Sequence, residues 1–378
     1  MTKLKKAIGL MSGTSMDGID AALLKTDGQN HLQIIGHHSH HYSAAFRQRL
    51  KAGLEDAEHI LNRQERPGSL RQLEQDLTLE HIAVVKALLA KLEYDKAAVD
   101  IIGFHGQTLL HRPGKHLTVQ IGDGAFLARE TGIDVMYDIR ANDMACGGQG
   151  APLTPAYHAA LAQQLRGQVA FPVAFVNIGG IANLTWVDED GQIAAFDCGP
   201  GNGLIDQWME LCTGKPFDRD GAAGLRGQVI TSIYRHYLDS AWWQKGNISF
   251  DWRDFAPLDK KCASMEDGAA TLSAVIAAGI IHALEHRFKA TKTLIISGGG
   301  VKNRAVMQQL HALAAPRKMA VHAADTFGFA SDFIEAEAWG YLAVRALYGL
   351  PLTWPATTGC AEPVSGGVLA QALGAQLG

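Results

Sequence analysis

Short apolar runs broken by glycine and longer stretches with apolar residues at helical spacing alternate along the chain, and the changes between them predict the elements. Residues 7–25 (AIGLMSGTSMDGIDAALLK) have β-compatible flanks around a centre of glycine and small polar residues, which reads as strand, turn, strand. A third strand is expected near 32–41. From 69 to 92, Leu70, Leu73, Leu77, Ile82, Val85, Leu88, Leu89 and Leu92 recur at helical spacing, with Ser69 as the expected cap. Residues 99–106 (VDIIGFHG) read as a buried strand running into a glycine turn.

A second series starts near 169. Residues 169–187 again read as strand, glycine turn, strand, and 191–199 as the next strand. Helices are expected near 202–213, 227–240 and 268–288. Residues 292–300 (KTLIISGGG) form a buried strand ending in three glycines, with a helix from about 302 and a last helix from about 332 to 348. The two hairpins begin about 165 residues apart, at similar places in two αβ-rich halves. That pattern reads as a degenerate internal duplication. The expected boundary is 147–155 (GGQGAPLTP), where glycine gives way to proline.

Composition narrows the class. At 378 residues two domains or one large one are expected. Apolar residues make up 47% and charged residues 19%, a balance that can bury a core and excludes disorder as the main state. The net charge of −4 gives bulk charge no part in binding nucleic acid. Forty-one glycines exceed the usual share and suggest tight turns and close backbone approaches to ligands. Five cysteines, at 146, 198, 212, 262 and 360, are odd in number and lack C-x-x-C spacing, which points to a reducing compartment. The basic start reaches Ser12 too soon for a signal-peptide core, and the longest apolar stretch, residues 272–286, reads as too short to cross a bilayer. A soluble cytoplasmic protein is expected, with neither membrane nor nucleic acid as partner.

Three glycine tips carry candidate chemistry. Residues 13–18 (GTSMDG) could wrap phosphate oxygens with backbone N–H groups and hydroxyls, and Asp17 could hold Mg²⁺; an ordinary hairpin turn is the alternative. Residues 177–183 (NIGGIAN) offer a second such cradle or a glycine bulge. Residues 297–300 (SGGG) end a strand ahead of a helix, where ligands bind α/β sheets, or simply make a tight turn. There is no Walker-type loop, and GPGNGL at 199–204 lacks dinucleotide spacing. Asp197 stands ahead of a Gly-Pro-Gly turn, as a base or as a capping residue. Glu335 falls in the first turn of the last helix, where the bland reading is a solvated side chain. The histidine cluster at 37–41 (HHSHH) would be split between two strand faces, and HALEH at 282–286 lacks a third ligand; both read as weak metal patterns. The sequons at 183–185 and 247–249 carry no meaning in a cytoplasmic protein.

Taken together, GLMSGTSMDGIDAAL, GFHGQTLLHRP, TVQIGDGAFLARETGIDV, GGQGAPLTPAYH, VNIGGIANLT, FDCGPGNGLID, FDRDG, ISGGGVKN and FIEAEAWGYLA resemble the anhydro-N-acetylmuramic acid kinase family, in its order and over nearly the whole chain. The resemblance implies an α/β fold of the actin/hexokinase/sugar-kinase superfamily: two RNase-H-like (actin-like ATPase) lobes with a central cleft for ATP and sugar. The lobes would be 1–148 with about 345–378, and 149–344. The implied reaction is ATP-dependent: water opens 1,6-anhydro-N-acetylmuramic acid and O6 is phosphorylated, in peptidoglycan recycling. Asp197 matches the catalytic base and is expected to work at an ordinary pKa. Glu335 matches an acid that contacts the sugar. Ser12, Gly13, Thr14, Ser15, Met16, Asp17, Gly18 and Ile19 match the ATP phosphate loop, with Asp17 on Mg²⁺. Asn177, Gly179 and Gly180 match a second phosphate turn, and Gly298, Gly299 and Gly300, with Asn303, the adenosine side. His105, Gly106, Gln107 and Arg140 belong to the implied sugar pocket. Residues 29–75 are less family-like, and Asn142 stands where a basic residue contacting sugar or phosphate is expected. A homodimer stays open, as do a kinase for another amino sugar and an actin-like assembly module.

Overall fold

The computed structural model describes residues 2–239, 250 and 254–372. The first hairpin forms as β1 (Lys5–Ser12) and β2 (Gly18–Thr26), antiparallel, and β3 (Leu32–His41) pairs with β2. Two helices follow, α1 (Ala44–Ala57) and α2 (Leu70–Lys91). Ser43 caps α1 by accepting the Phe46 N–H. Ser69 precedes α2 but does not cap it; its hydroxyl donates instead to Asp56 at 2.8 Å. Strand β4 (Ile101–Arg112) lies parallel to β1. It does not stop at Gly106 as expected. Gly106 takes a left-handed φ of 69° within the strand, and a Cβ there would overlap the Ile121 carbonyl. That oxygen belongs to β5 (Leu117–Ile121), which pairs back onto β4. Helix α3 (Gly124–Thr131), strand β6 (Val135–Tyr137), α4 (Arg140–Ala145) and α5 (Pro155–Gln164) complete this series.

The second series repeats the plan. Strands β7 (Val173–Ile178), β8 (Ile181–Val187) and β9 (Ile193–Pro200) form an antiparallel meander. Then come α6 (Asn202–Thr213), α7 (Thr231–Leu238), α8 (Met265–Arg287), β10 (Thr293–Ser297), α9 (Arg304–Ala314) and β11 (Ala320–Ala323). The helix expected over 227–240 starts only at Thr231, and residue 240 lies outside the described residues, as does the 247–249 sequon. Helix α8 is 23 residues long, so by length and composition it could cross a membrane, contrary to the expectation. Most of it is buried in the core of its own unit, beside Trp208 and Leu294. The chain closes with α10 (Ile334–Leu347), the short α11 (Pro355–Thr358) and β12 (Val368–Ala370).

Sheet order exposes the duplication that periodicity only suggested. The first sheet runs β3-β2-β1-β4-β6, with β5 and β12 added; the second runs β9-β8-β7-β10-β11. In each, the first strand of the meander is central and two parallel strands continue beside it. This is the RNase-H-like order, present twice.

The two compact units are the residues up to Leu161 with those from Phe333 onward, and Ala162–Asp332. Both limits differ from the expected 148 and 345. For the second limit the physical reason is α10, which packs on β1, β2 and β4 of the first unit. A Cβ on Gly9 of β1 would overlap the Ala336 carbonyl, and one on Gly103 of β4 the Trp339 carbonyl. The helix backbone thus lies directly against the sheet, an approach only glycine allows.

Candidate active site

The tip of the first hairpin is held from below. Ser12 is fully buried; its hydroxyl lies 2.9 Å from the Tyr42 hydroxyl and donates to Gln107 Oε1 at 2.5 Å. Gln107 Nε2 donates to the Gly13 carbonyl at 3.0 Å. Met16 takes a left-handed φ of 53° and buries its side chain in the first core, as Ile19 does. Gly18 lets β2 meet β3 closely, since a Cβ would overlap the His40 carbonyl. Of the expected phosphate loop, Ser12, Met16 and Ile19 therefore turn their side chains inward. Thr14, Ser15 and Asp17 are exposed, and Ser15 donates to Asp17 Oδ1 at 2.7 Å. Among the described residues no group of three potential metal ligands exists. One exposed carboxylate is nonetheless the donor set that suits Mg²⁺, which keeps its waters and takes the rest of its shell from phosphates.

The middle of β4 and the segment after β6 carry the next group. His105 is 5% exposed; its Nδ1 lies 3.1 Å from the Ser12 carbonyl and its Nε2 3.1 Å from Arg140 Nη2. Burial first, and the Arg140 charge second, hold its pKa well below the usual histidine value. Arg140 starts α4, donates to the Gly150 carbonyl at 2.7 Å, and lies 5.5 Å over the Trp339 ring. Its Nε is buried without a partner. Burial lowers its pKa to about 10, opposed by Glu335 and Asp143. Glu335 keeps an exposed face although protein crowds it on its other sides. The crowding raises its pKa, and the Arg140 guanidinium opposes the rise. A cavity of about 210 Å³ adjoins His105, walled also by Gln120, Tyr137 and Arg63. Of the four expected sugar residues, Gln107 spends its amide on the hairpin, and the missing side chain of Gly106 is explained by β5.

In the second unit three glycine segments converge. The Gly179 carbonyl accepts the Asn202 N–H at 2.7 Å, and the Gly180 carbonyl accepts those of Gly201 and Gly203 at 3.0 and 3.2 Å. Gly298 has φ 77°, and a Cβ there would overlap Asn177 Oδ1. Gly300 is glycine because Ile178 fills the space beside it. A Cβ on Gly180 would meet nothing within 4 Å. Asn303 is committed elsewhere: its Oδ1 caps α9 by accepting the Ala305 and Val306 N–H groups at 3.1 and 3.2 Å.

Asp197 lies within β9 and not at its end, next to a register shift opposite Ala182 and Asn183. It does not cap α6, which Gly201 precedes. Its Oδ2 accepts the Phe250 N–H at 2.8 Å. Burial pushes its carboxyl up to about 6, against the pull of that N–H. The expectation of an ordinary pKa is corrected accordingly. Asp206 in α6 was not legible as a site residue; burial also pushes it up to about 6.

The remaining motifs resolve into packing. His37 pairs with Glu337 Oε1 at 2.6 Å and stacks on Phe333. Glu337, which sequence reasoning missed, is 2% exposed and also accepts the Tyr157 hydroxyl at 2.6 Å. Glu285 pairs with Arg317, which takes it out of any zinc pattern. Asn142 donates to the Ser365 carbonyl at 2.5 Å. Asp143 beside it, also missed, accepts the Gly150 N–H and the hydroxyls of Thr353 and Thr358, tying the 147–153 loop to the C-terminal turn.

Residues 5–372 match the family described as anhydro-N-acetylmuramic acid kinase. A relative from Brucella canis with that name is 56% identical over 370 residues, covering 97% of this chain and 99% of its own. Relatives of the same name from Rhizobium etli and Agrobacterium fabrum are 53% and 51% identical, each covering 98% of this chain and 100% of their own. With the RNase-H-like order present twice and the match spanning nearly every residue, this chain belongs to the anhydro-N-acetylmuramic acid kinase family.

Proposed function

We propose that this protein opens 1,6-anhydro-N-acetylmuramic acid with water and transfers the γ-phosphoryl group of ATP to O6, giving N-acetylmuramic acid 6-phosphate and ADP. The observation that carries this reading is family membership over residues 5–372. The chemistry of individual residues supports it. Asp197 acts as the base. With a pKa near 6 it is mostly ionised at pH 7, yet basic enough to take a proton from water in the transition state. That water attacks the anomeric carbon, the C1–O6 bond breaks, and O6 accepts the phosphoryl group as ADP leaves. Positive charge developing at the anomeric carbon makes the attacking water more acidic.

Phosphoryl transfer asks mainly for positioning and charge neutralisation. Residues 13–18 offer backbone groups and the exposed Thr14, Ser15 and Asp17 to the phosphates, and Asn177, Gly179 and Gly180 form the second phosphate turn. Gly298 and Gly299 lie on the adenosine side. Asp17 would hold Mg²⁺, which when bound neutralises phosphate charge. Arg140, with its buried unpartnered Nε, and Glu335 contact the sugar. The reaction belongs to cell-wall recycling in the cytoplasm, where thiols stay reduced and ATP is present; five free cysteines fit that setting.

The test is turnover of ATP and the anhydro sugar in ¹⁸O-water, followed by mass spectrometry. Label is expected at the anomeric hydroxyl and not in the phosphate. Label in the phosphate, or ADP without sugar phosphate, would remove the reading.

A further inference from the structure

We propose that His105 is a positioning residue that ties the hairpin of the first unit to Arg140 through its two ring nitrogens, so that one side chain sets both the nucleotide-binding and the sugar-binding groups of that unit. The proposal rests on the preceding reading of the hairpin as a phosphate contact and of Arg140 as a sugar contact.

The hydrogen bonds leave one arrangement of the ring. A carbonyl only accepts, so the nitrogen 3.1 Å from the Ser12 carbonyl, Nδ1, must carry a proton. A guanidinium only donates, so the nitrogen 3.1 Å from Arg140 Nη2, Nε2, must present its lone pair. Both partners demand the same neutral tautomer. Burial and the Arg140 charge favour the uncharged ring as well. The ring N–H is then spent on backbone carbonyls, Ser12 first and Gly106 after it, and the lone pair on Arg140, with Thr108 Oγ1 a more distant neighbour at 3.4 Å. Neither ring nitrogen is then left free as a donor to a sugar hydroxyl.

The ring is also fixed in place. The Trp339 ring lies 4.7 Å from the His105 ring and beneath the Arg140 guanidinium. Trp339 sits on α10 one turn beyond Glu335. Ring and guanidinium thus share a platform on the helix that bears the sugar-side acid. On the other side, Gln107 holds the next hairpin residue, Gly13, at 3.0 Å. A histidine that merely filled the core would have no need to join these two segments. Here each nitrogen reaches a different one.

The two bonds can be cut separately. In His105→Asn the amide nitrogen reproduces the Nδ1 donor toward Ser12, while the acceptor for Arg140 is lost. In His105→Gln the longer amide oxygen reproduces the acceptor for Arg140, while the donor to Ser12 is lost. Steady-state kinetics of wild type and both variants, with thermal midpoints, read the outcome. The Asn variant is expected to raise KM for the anhydro sugar about tenfold and leave KM for ATP within about twofold. The Gln variant is expected to do the reverse. Equal changes in both constants for both variants, or a fall in thermal midpoint alone, would overturn the proposal. If one variant fails to fold, the other decides by its own split. An inactive wild type would instead overturn the functional reading, and this proposal with it.

Discussion

Asp197 and Cys198 are neighbours on β9, and both are desolvated, but only the carboxylate is raised into the range where it can exchange protons near neutral pH. Asp197→Asn is expected to fold and to lose turnover by about 10²–10⁴-fold, the usual share of a general base. In the wild type, kcat/KM should fall about tenfold per pH unit below pH 6, as the carboxylate is protonated. The effect on stability has the opposite sense. The folded pKa lies above the ordinary 3.8, so between about pH 4 and 6 the folded state holds the proton more tightly than the unfolded chain. Stability from this group is therefore present at acid pH and lost as pH rises through 6. Asp197→Asn should raise stability by about 1–2 kcal/mol at pH 7.5, allowing for partial solvent screening, and change it little at pH 4. Equal denaturation midpoints for the two proteins at pH 7.5 would mean that the carboxylate is not desolvated. None of this was legible from FDCGPGN, which left base and cap both open, because burial is a property of the packed fold and the opposing N–H comes from Phe250, 53 residues away. Glu335 and Glu337 teach the same lesson: two positions apart on one helix, one keeps an exposed face and the other is buried between His37 and Tyr157.

At the scale of elements, α10 decides where Glu335 and Trp339 stand. Its backbone rests on Gly9 and Gly103, and its own Gly340 faces Leu24 and Gly9. Gly103→Ala would drive a methyl group into the Trp339 carbonyl, which belongs to a helix backbone and cannot rotate away. We expect a loss of about 3 kcal/mol in chemical denaturation, at the upper end of ordinary overpacking, with kcat reduced in the fraction that folds. Wild-type stability in that variant would mean that α10 can lift off the sheet at little cost. The helix itself was plain in the sequence from its periodicity. Its seat was not, since a glycine within a strand reads equally as a bulge or as a close approach. Gly106 is both at once, a bulge within a strand that continues to Arg112 and a close approach of the Ile121 carbonyl. Helices α1, α3, α4 and α5 and strands β5 and β6 were not among the elements read from the sequence.

At the scale of the molecule, the chain is two copies of one topology, each with its own core. All five cysteines are free, so no covalent link supports either copy. Adding a reductant should leave the thermal unfolding midpoint unchanged within about 1 °C; a fall would reveal a disulfide. The sequence alone determined the glycine-tipped hairpins, the long amphipathic helices, the paired αβ halves and, through its motifs, the family. These are matters of local turn chemistry, periodicity and composition, which act over a few residues. Only the tertiary structure decided which polar groups are spent and which remain for a ligand: that Gln107 braces the hairpin, that Asn303 caps a helix, that His105 joins Ser12 to Arg140, and that Asp197 is desolvated. A hydrogen bond between residues 93 apart, like that of His105 to Ser12, or 300 apart, like that of His37 to Glu337, exists only once the sheet and helices have packed, and no local pattern encodes it.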